Sequence, residues 1–226
     1  MKIKLNLFTA LVLFFNINCI AQTKYYKING GDTTNEEGYK EVKKKLKKNG
    51  KIEEFHLKTI VKNDSVINYI NLGNLITTPD GFDPWGETKK NVGTKFQIEK
   101  YKDKNSKNFK TDYFLGKPTL INFWFTKCPP CIGELPTLNK LQEKFGDSVN
   151  FISITFENQN SIDEFLKKHE FNFTHIPNSK KQIEELKISG YPTTFILDKN
   201  GIIKIVTPEI NEYNRKEIET TISILQ

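Results

Sequence analysis

The stretch that most constrains this chain is Leu120-Ile121-Asn122-Phe123, followed at once by Trp124-Phe125-Thr126-Lys127-Cys128-Pro129-Pro130-Cys131. A short apolar run rich in aromatics predicts a strand buried on both faces, and a proline at the next turn suits the first position of a helix. The chain must therefore pass from a central strand straight into a helix whose first turn carries two cysteines. There, unpaired backbone N–H groups and the helix dipole stabilise a thiolate, so an ordinary thiol becomes a nucleophile at neutral pH. Half of a zinc site is the other reading of the two cysteines. Tetrahedral zinc needs two further ligands, and Cys19, His56, His169 and His175 offer no paired spacing. The expectation is a redox-active dithiol, Cys128 and Cys131, with no metal and no cofactor besides itself.

A second feature lies far downstream. Sixty-one residues past Cys131, Pro192 opens Thr193-Thr194-Phe195-Ile196-Leu197, a β-branched and aromatic run leading to an Asn200-Gly201 hairpin turn. Together with Cys-Pro-Pro-Cys, and with Pro136 five residues after Cys131, this pattern resembles the thioredoxin superfamily. The resemblance implies a cis-proline at Pro192 facing the cysteines across the sheet, and a kinking proline at Pro136 in the active-site helix. The chain is more closely similar to the TlpA/ResA-like branch, the extracytoplasmic thiol–disulfide oxidoreductases. That likeness rests on Asn122-Phe123-Trp124, on the Pro-Pro between the cysteines, on Glu134-Leu135-Pro136, and on Phe114-Leu115-Gly116-Lys117-Pro118 ahead of the first core strand. It covers residues 92–226 and is silent on residues 22–91.

Each of these residues can be given a role. Cys128, at the exposed start of the helix, is expected to attack and form the mixed disulfide; Cys131, one turn in, resolves it. Lys127 places a positive charge beside Cys128, which favours the thiolate. Pro129 and Pro130 have no N–H, which leaves chiefly the Cys131 amide to donate to the sulfur. Where cytosolic thioredoxin carries a buried aspartate, this chain has Asn122, which cannot act as a base. Glu134, at i+3 from Cys131 and on the same helix face, is expected to move the proton, with a pKa raised by partial burial. The resemblance implies that the backbone of Tyr191, before Pro192, pairs with an extended substrate segment, and that Tyr191, Pro192 and Trp124 meet the substrate. Related folds with other chemistry fit less well. A peroxiredoxin-like peroxidase needs a threonine three residues and a proline seven residues before its cysteine, where this chain has Phe125 and Ile121. A Sco-like copper-delivery module spaces its cysteines by three residues and adds a distal histidine that neither His169 nor His175 clearly matches.

Residues 1–21 predict an export signal: basic Lys2 and Lys4, an apolar run from Leu5 to Phe15, and Cys19-Ile20-Ala21 before Gln22. Eleven residues are too few for a membrane span, which takes about 20. Asn16 to Asn18 argue against Cys19 as a lipid-bearing residue. Cleavage after Ala21 leaves Cys128 and Cys131 as the sole cysteines, in a protein of the periplasm or outer face of the envelope with no stable membrane insertion. The expected partners are protein disulfides and, for a reductase, a membrane electron donor. Cytochrome c maturation is one setting that the resemblance suggests.

The net charge is +7. Its densest source, Lys43-Lys44-Lys45-Leu46-Lys47-Lys48, reads as the solvated face of a helix carrying Tyr39, Val42 and Leu46, with Thr34 and Glu37 as a capping box. No groove motif or aromatic platform accompanies it, so nucleic acid is not an expected partner. Two strands over 52–61 and 66–72 complete a small β-α-β-β unit in residues 24–75. Residues 77–93 carry the turn formers of a linker that Trp85 pins to a neighbouring domain. The expected class is α/β: a thioredoxin-like mixed sheet flanked by helices over residues 92–226, preceded by a small α+β region and linker over 22–91. The later elements are a helix over 130–145, a strand over 149–156, a helix over 161–169, a strand over 171–174 and a helix over 180–186. A hairpin of 193–197 and 202–206 and a C-terminal helix with Ile218, Ile222 and Leu225 complete the order.

Overall fold

A computed structural model describes residues 22–226. The proposed export signal, with Cys19, lies outside the described residues. The chain forms two sheets. The first contains β1 (Thr23–Ile28), β2 (Thr33–Asn35), β3 (Ile52–Val61) and β4 (Ser65–Asn74) in the order β2-β1-β4-β3, with helix α1 (Glu36–Lys47) between β2 and β3. β1 runs parallel to β4, and the other pairs are antiparallel. Strand β2 is an addition to the expected unit, being too short for an alternating pattern. Because it runs to Asn35, the cap of α1 is Asn35, whose side chain accepts from Gly38 N, and not Thr34.

The second sheet contains β5 (Thr119–Phe123), β6 (Asn150–Ile154), β7 (Thr174–Ile176), β8 (Thr193–Leu197) and β9 (Ile203–Thr207) in the order β7-β6-β5-β8-β9. β5, β6 and β7 are parallel, and β8 and β9 join antiparallel. Every residue of β5 and of β8 is buried, because helices cover both faces. Leu120 and Ile196 point into one core with α3 (Pro129–Phe145), α4 (Gln159–Leu166) and α6 (Arg215–Leu225). Ile121, Phe123, Phe195 and Leu197 point into the other, with α5 (Lys180–Glu185) and the segment around Phe96 and Ile98. The strand expected at 171–174 begins only at Thr174, since Phe171 and Phe173 turn into the first core before pairing with β6 starts at Ile152.

The first sheet docks on α6. Asn71 Nδ2 donates to Thr221 Oγ1 at 2.8 Å, and Gly30 lies so close to Thr220 that a Cβ would fall 2.1 Å from its methyl. Leu57 is 1% exposed and joins the first core of the second sheet. It sits at a register shift between His56 and Lys58, a bulge that re-aims its side chain inward. The linker is more ordered than its turn formers suggest. It contains helix α2 (Gly86–Lys89), and residues 93–96 then exchange backbone hydrogen bonds with Gly201 and Ile203 along the edge of β9.

Candidate active site

The pairing of β5 with β8 builds the site. Phe123, the last residue of β5, lies opposite Thr193, the first of β8. This register sets the cysteine turn, just past β5, beside the Tyr191–Pro192 peptide, just ahead of β8, which is cis. The carboxyl end of a central parallel strand at a change of direction is where α/β sheets gather their sites.

Cys128 is the N-cap of α3, and Pro129 and Pro130 form its first two positions. Prolines fit there because those N–H groups would have no helical acceptor. The Cys131 amide donates to Cys128 Sγ at 3.3 Å, and the two sulfurs form a disulfide with S–S 2.02 Å. Pro136 lies inside the helix. Cys128 departs from the exposed nucleophile expected of it. It is 2% exposed against 1% for Cys131, because the capping sulfur turns in toward the helix and both join the core against which Phe125, Ile132 and Tyr191 pack. Lys127 stands exposed at the head of the turn.

Glu134 is 1% exposed, a deeper burial than the partial one expected. Its Oε1 accepts from Asn122 Nδ2 at 2.7 Å, and its Oε2 accepts from the Ile210 amide at 2.9 Å. Burial pushes its pKa up to about 8; the Ile210 and Asn122 donors oppose the rise and nearby Glu209 adds to it. Asn122 also donates to Thr194 Oγ1 at 3.1 Å, so its partners are the carboxyl group and β8. An acid kept neutral near pH 7 and placed one turn past Cys131 is equipped to exchange a proton at neutral pH.

Trp124 is not on a surface that a substrate meets. It is 1% exposed, with its ring against Phe165 and Phe171, because the chain is still at strand depth one residue past β5. The rim is instead aromatic through Phe125, Phe156 and Tyr191, whose ring centroids are 5.4–6.1 Å apart, with Phe156 40% exposed. Glu157 holds the turn beneath that rim: its carboxylate accepts from Thr126 N at 2.7 Å and from Thr126 Oγ1 at 2.8 Å. Sequence reasoning missed Phe156 and Glu157. Their place just beyond β6, the strand next to β5, was the available signal. His175 is partly buried, with both ring nitrogens engaged by Ser153 Oγ and the Phe171 carbonyl. Among the described residues no group of three or more His, Cys, Asp or Glu could hold a metal ion.

Comparison with known proteins agrees with this architecture. Thioredoxin-like protein YneN of Bacillus subtilis is 28% identical over 113 residues, 48% of this chain and 65% of that protein. Thiol-disulfide oxidoreductase ResA of Bacillus cereus is 32% identical over 107 residues, 46% of this chain and 61% of that one. The chain thus spans less than two thirds of the length of these relatives. A DsbE-type thiol:disulfide interchange protein of Chlorobium tepidum superposes with a TM-score of 0.51 at 19% identity, over 60% of this chain and 96% of its own, which identifies the fold. The AhpC/TSA family model matches residues 92–206, just over half of the chain, and the protein is a member of the AhpC/TSA family with a thioredoxin-like fold.

Proposed function

We propose that the protein is an exported thiol:disulfide oxidoreductase, acting as a reductase of protein disulfides through Cys128 and Cys131. The observation that carries this reading is the Cys128–Cys131 disulfide at the head of α3, set by β5–β8 pairing beside the Tyr191–Pro192 loop. The names of ResA and its kin point the same way. In the reduced protein the Cys128 thiolate attacks one sulfur of a substrate disulfide. A mixed disulfide forms, and the other substrate sulfur leaves as a thiolate and takes up a proton. Cys131 then gives its proton to Glu134 in its ionised form, the minor one at neutral pH for a pKa of about 8, and its sulfur attacks Cys128 Sγ. The second substrate sulfur leaves as a thiolate and takes the proton that Glu134 accepted, which returns Glu134 to its ionised form. The substrate gains two electrons and two protons; the protein is left with the disulfide of this structure. A dithiol donor, held at the membrane in this reading, restores the thiols. Tyr191 and Pro192 are the residues that would line an extended substrate segment, and Lys127 would favour the Cys128 thiolate.

Export rests on residues 1–21; no helix among the described residues is long and apolar enough to cross a membrane. Single substitutions test the chemistry. Cys128→Ser should abolish reduction of a disulfide-bearing peptide, while Cys131→Ser should accumulate a mixed disulfide visible by mass spectrometry. Turnover by Cys128→Ser would refute the assignment. The equilibrium potential against glutathione decides direction: superfamily values run from about −270 to −120 mV, and one above about −150 mV would mark an oxidase.

A further inference from the structure

The loop that carries Tyr191 and Pro192 runs between α5 and β8, and Lys187 within it has φ +57°. Its partners come largely from the linker, about a hundred residues earlier. Asn91 Nδ2 donates to the Leu186 carbonyl at 2.9 Å and Thr88 Oγ1 to the Lys187 carbonyl at 2.6 Å. Ser189 Oγ donates to the Pro84 carbonyl at 3.3 Å. Trp85 closes the set. Its Nε1 donates at 2.9 Å to Thr193 Oγ1, which itself donates to the Gly190 carbonyl at 2.7 Å. The indole also lies where a side chain at 190 would begin, since a Cβ on Gly190 would meet it at 3.3 Å.

The linker is tied in turn to the first sheet. Lys89, 12% exposed at its side chain, bridges Glu53 on β3 at 2.6 Å and Asp83 at 3.2 Å. A connecting segment that only spans two units does not need an indole hydrogen-bonded to a threonine buried at the start of β8. We propose that residues 83–91, with Trp85 as the key, position the Gly190–Tyr191–Pro192 segment for substrate, and that the N-terminal sheet anchors this support. Trp85 is thus a positioning residue: it acts on the substrate through the loop. The proposal rests on the thiol:disulfide reading for its kinetic consequence, though not for its structural one.

The test uses the full-length protein with Trp85→Ala, Trp85→Phe and Lys89→Met. Losing the indole should raise KM for a disulfide-bearing peptide about fivefold to twentyfold, the scale of one or two lost hydrogen bonds, with kcat within about twofold. Iodoacetamide should alkylate reduced Cys128 at the parental rate, because that small reagent needs no loop. Backbone amides of residues 186–193 should exchange with deuterium about tenfold faster or more. Trp85→Phe, which keeps a ring over Gly190 but no N–H, should fall between, and Lys89→Met should show a smaller change of the same kind. Unchanged KM and unchanged loop exchange in a folded Trp85→Ala would overturn the proposal. So would a parallel fall in alkylation, which would mean general damage to the site. If Trp85→Ala does not fold, the other two variants decide, and parental loop exchange in both counts against it. A parent protein inert toward the peptide would defeat the functional reading alone, since deuterium exchange would still measure the support.

Discussion

The two sheets bury their residues very differently. In the second, β5 and β8 are buried from end to end. In the first, α1 has no buried residue, and β3 and β4 bury only Leu57, Ile70, Asn71 and Leu72. The sheet enclosed on both faces can exclude water from a dithiol and hold a neutral carboxyl group. The open sheet cannot: apart from Asn71 and Glu53, which bond α6 and the linker, polar groups there meet solvent or each other, as in the stacked Tyr26 and Tyr39 rings with Lys43 and Glu54 around them. Chemistry and support are thereby divided. The second sheet carries every group that the proposed exchange uses, and the first acts through the linker and helix it touches.

The largest effect should come from cutting the buried centre of the apolar contact between them, where Leu57 enters the core with the partly buried Phe55 and Tyr69 beside it. Leu57→Ala empties a site in the core shared with α6 and should cost about 2–5 kcal/mol. If the sheets form one cooperative unit, thermal unfolding keeps a single transition at a lower temperature. Two separated transitions, with the second sheet unmoved, would break the comparison by showing that the N-terminal unit melts by itself.

A second prediction sharpens it by setting a half-buried acid against a fully buried one. Burial raises the pKa of both Glu53 and Glu134, but Lys89 opposes the rise at Glu53, while Glu134 has only the neutral donors Ile210 N and Asn122 Nδ2. An unfolded glutamate ionises near pH 4.3, whereas Glu134 holds its proton to about 8. Below both values it is neutral in either state and has no effect on stability. Between them the unfolded chain sheds the proton and the folded chain keeps it, so stability falls as pH rises through this window and levels off above it. Glu134→Gln removes that fall. Asn122 can rotate its amide to meet the new one, so denaturation should find the variant near parity at pH 4 and more stable by a few kcal/mol at pH 8. Its dithiol exchange should be slower and lose the inflection near pH 8. Parental rates and pH profile in the variant would reject the proton-transfer role.

Legibility in the sequence divides along the same line. The strand–Cys-Pro-Pro-Cys–helix junction and the Pro192 run were legible because each is a local pattern: an apolar run, prolines at a helix start, an Asn-Gly turn. The depth of Cys128 and Glu134 was not, since it depends on β8 and on the Ile210 backbone, 76 residues from Glu134. Trp124 misled for the same reason: its neighbours Phe165 and Phe171 reach it only through the fold. The linker read as turns because Pro, Gly, Asp and Asn punctuate it, yet Trp85 and Thr88 gain their meaning from residues 187–193. In the first sheet the longer strands were visible, while the three-residue β2 and the bulge that turns Leu57 inward leave no mark in composition.

The smallest effect belongs to the basic face of α1, where the comparison predicts near silence. Lys43 Nζ bonds Glu54 Oε2 at 2.9 Å and lies 5.0 Å from the Tyr39 ring centroid, but solvent screens side chains that are 38% and 35% exposed. Such pairs contribute about 0–1 kcal/mol and weaken with salt, whose screening length is about 8 Å at physiological ionic strength. Lys43→Met should therefore lower stability by no more than about 1 kcal/mol, and less in high salt. It should leave KM, kcat and loop exchange at parental values, because no contact runs from Lys43 to residues 83–91 among those that hold the Tyr191 loop. A raised KM with intact loop exchange would show that the lysine face recruits the substrate directly by charge. The division between a sheet that does chemistry and a sheet that supports it would then have to be redrawn.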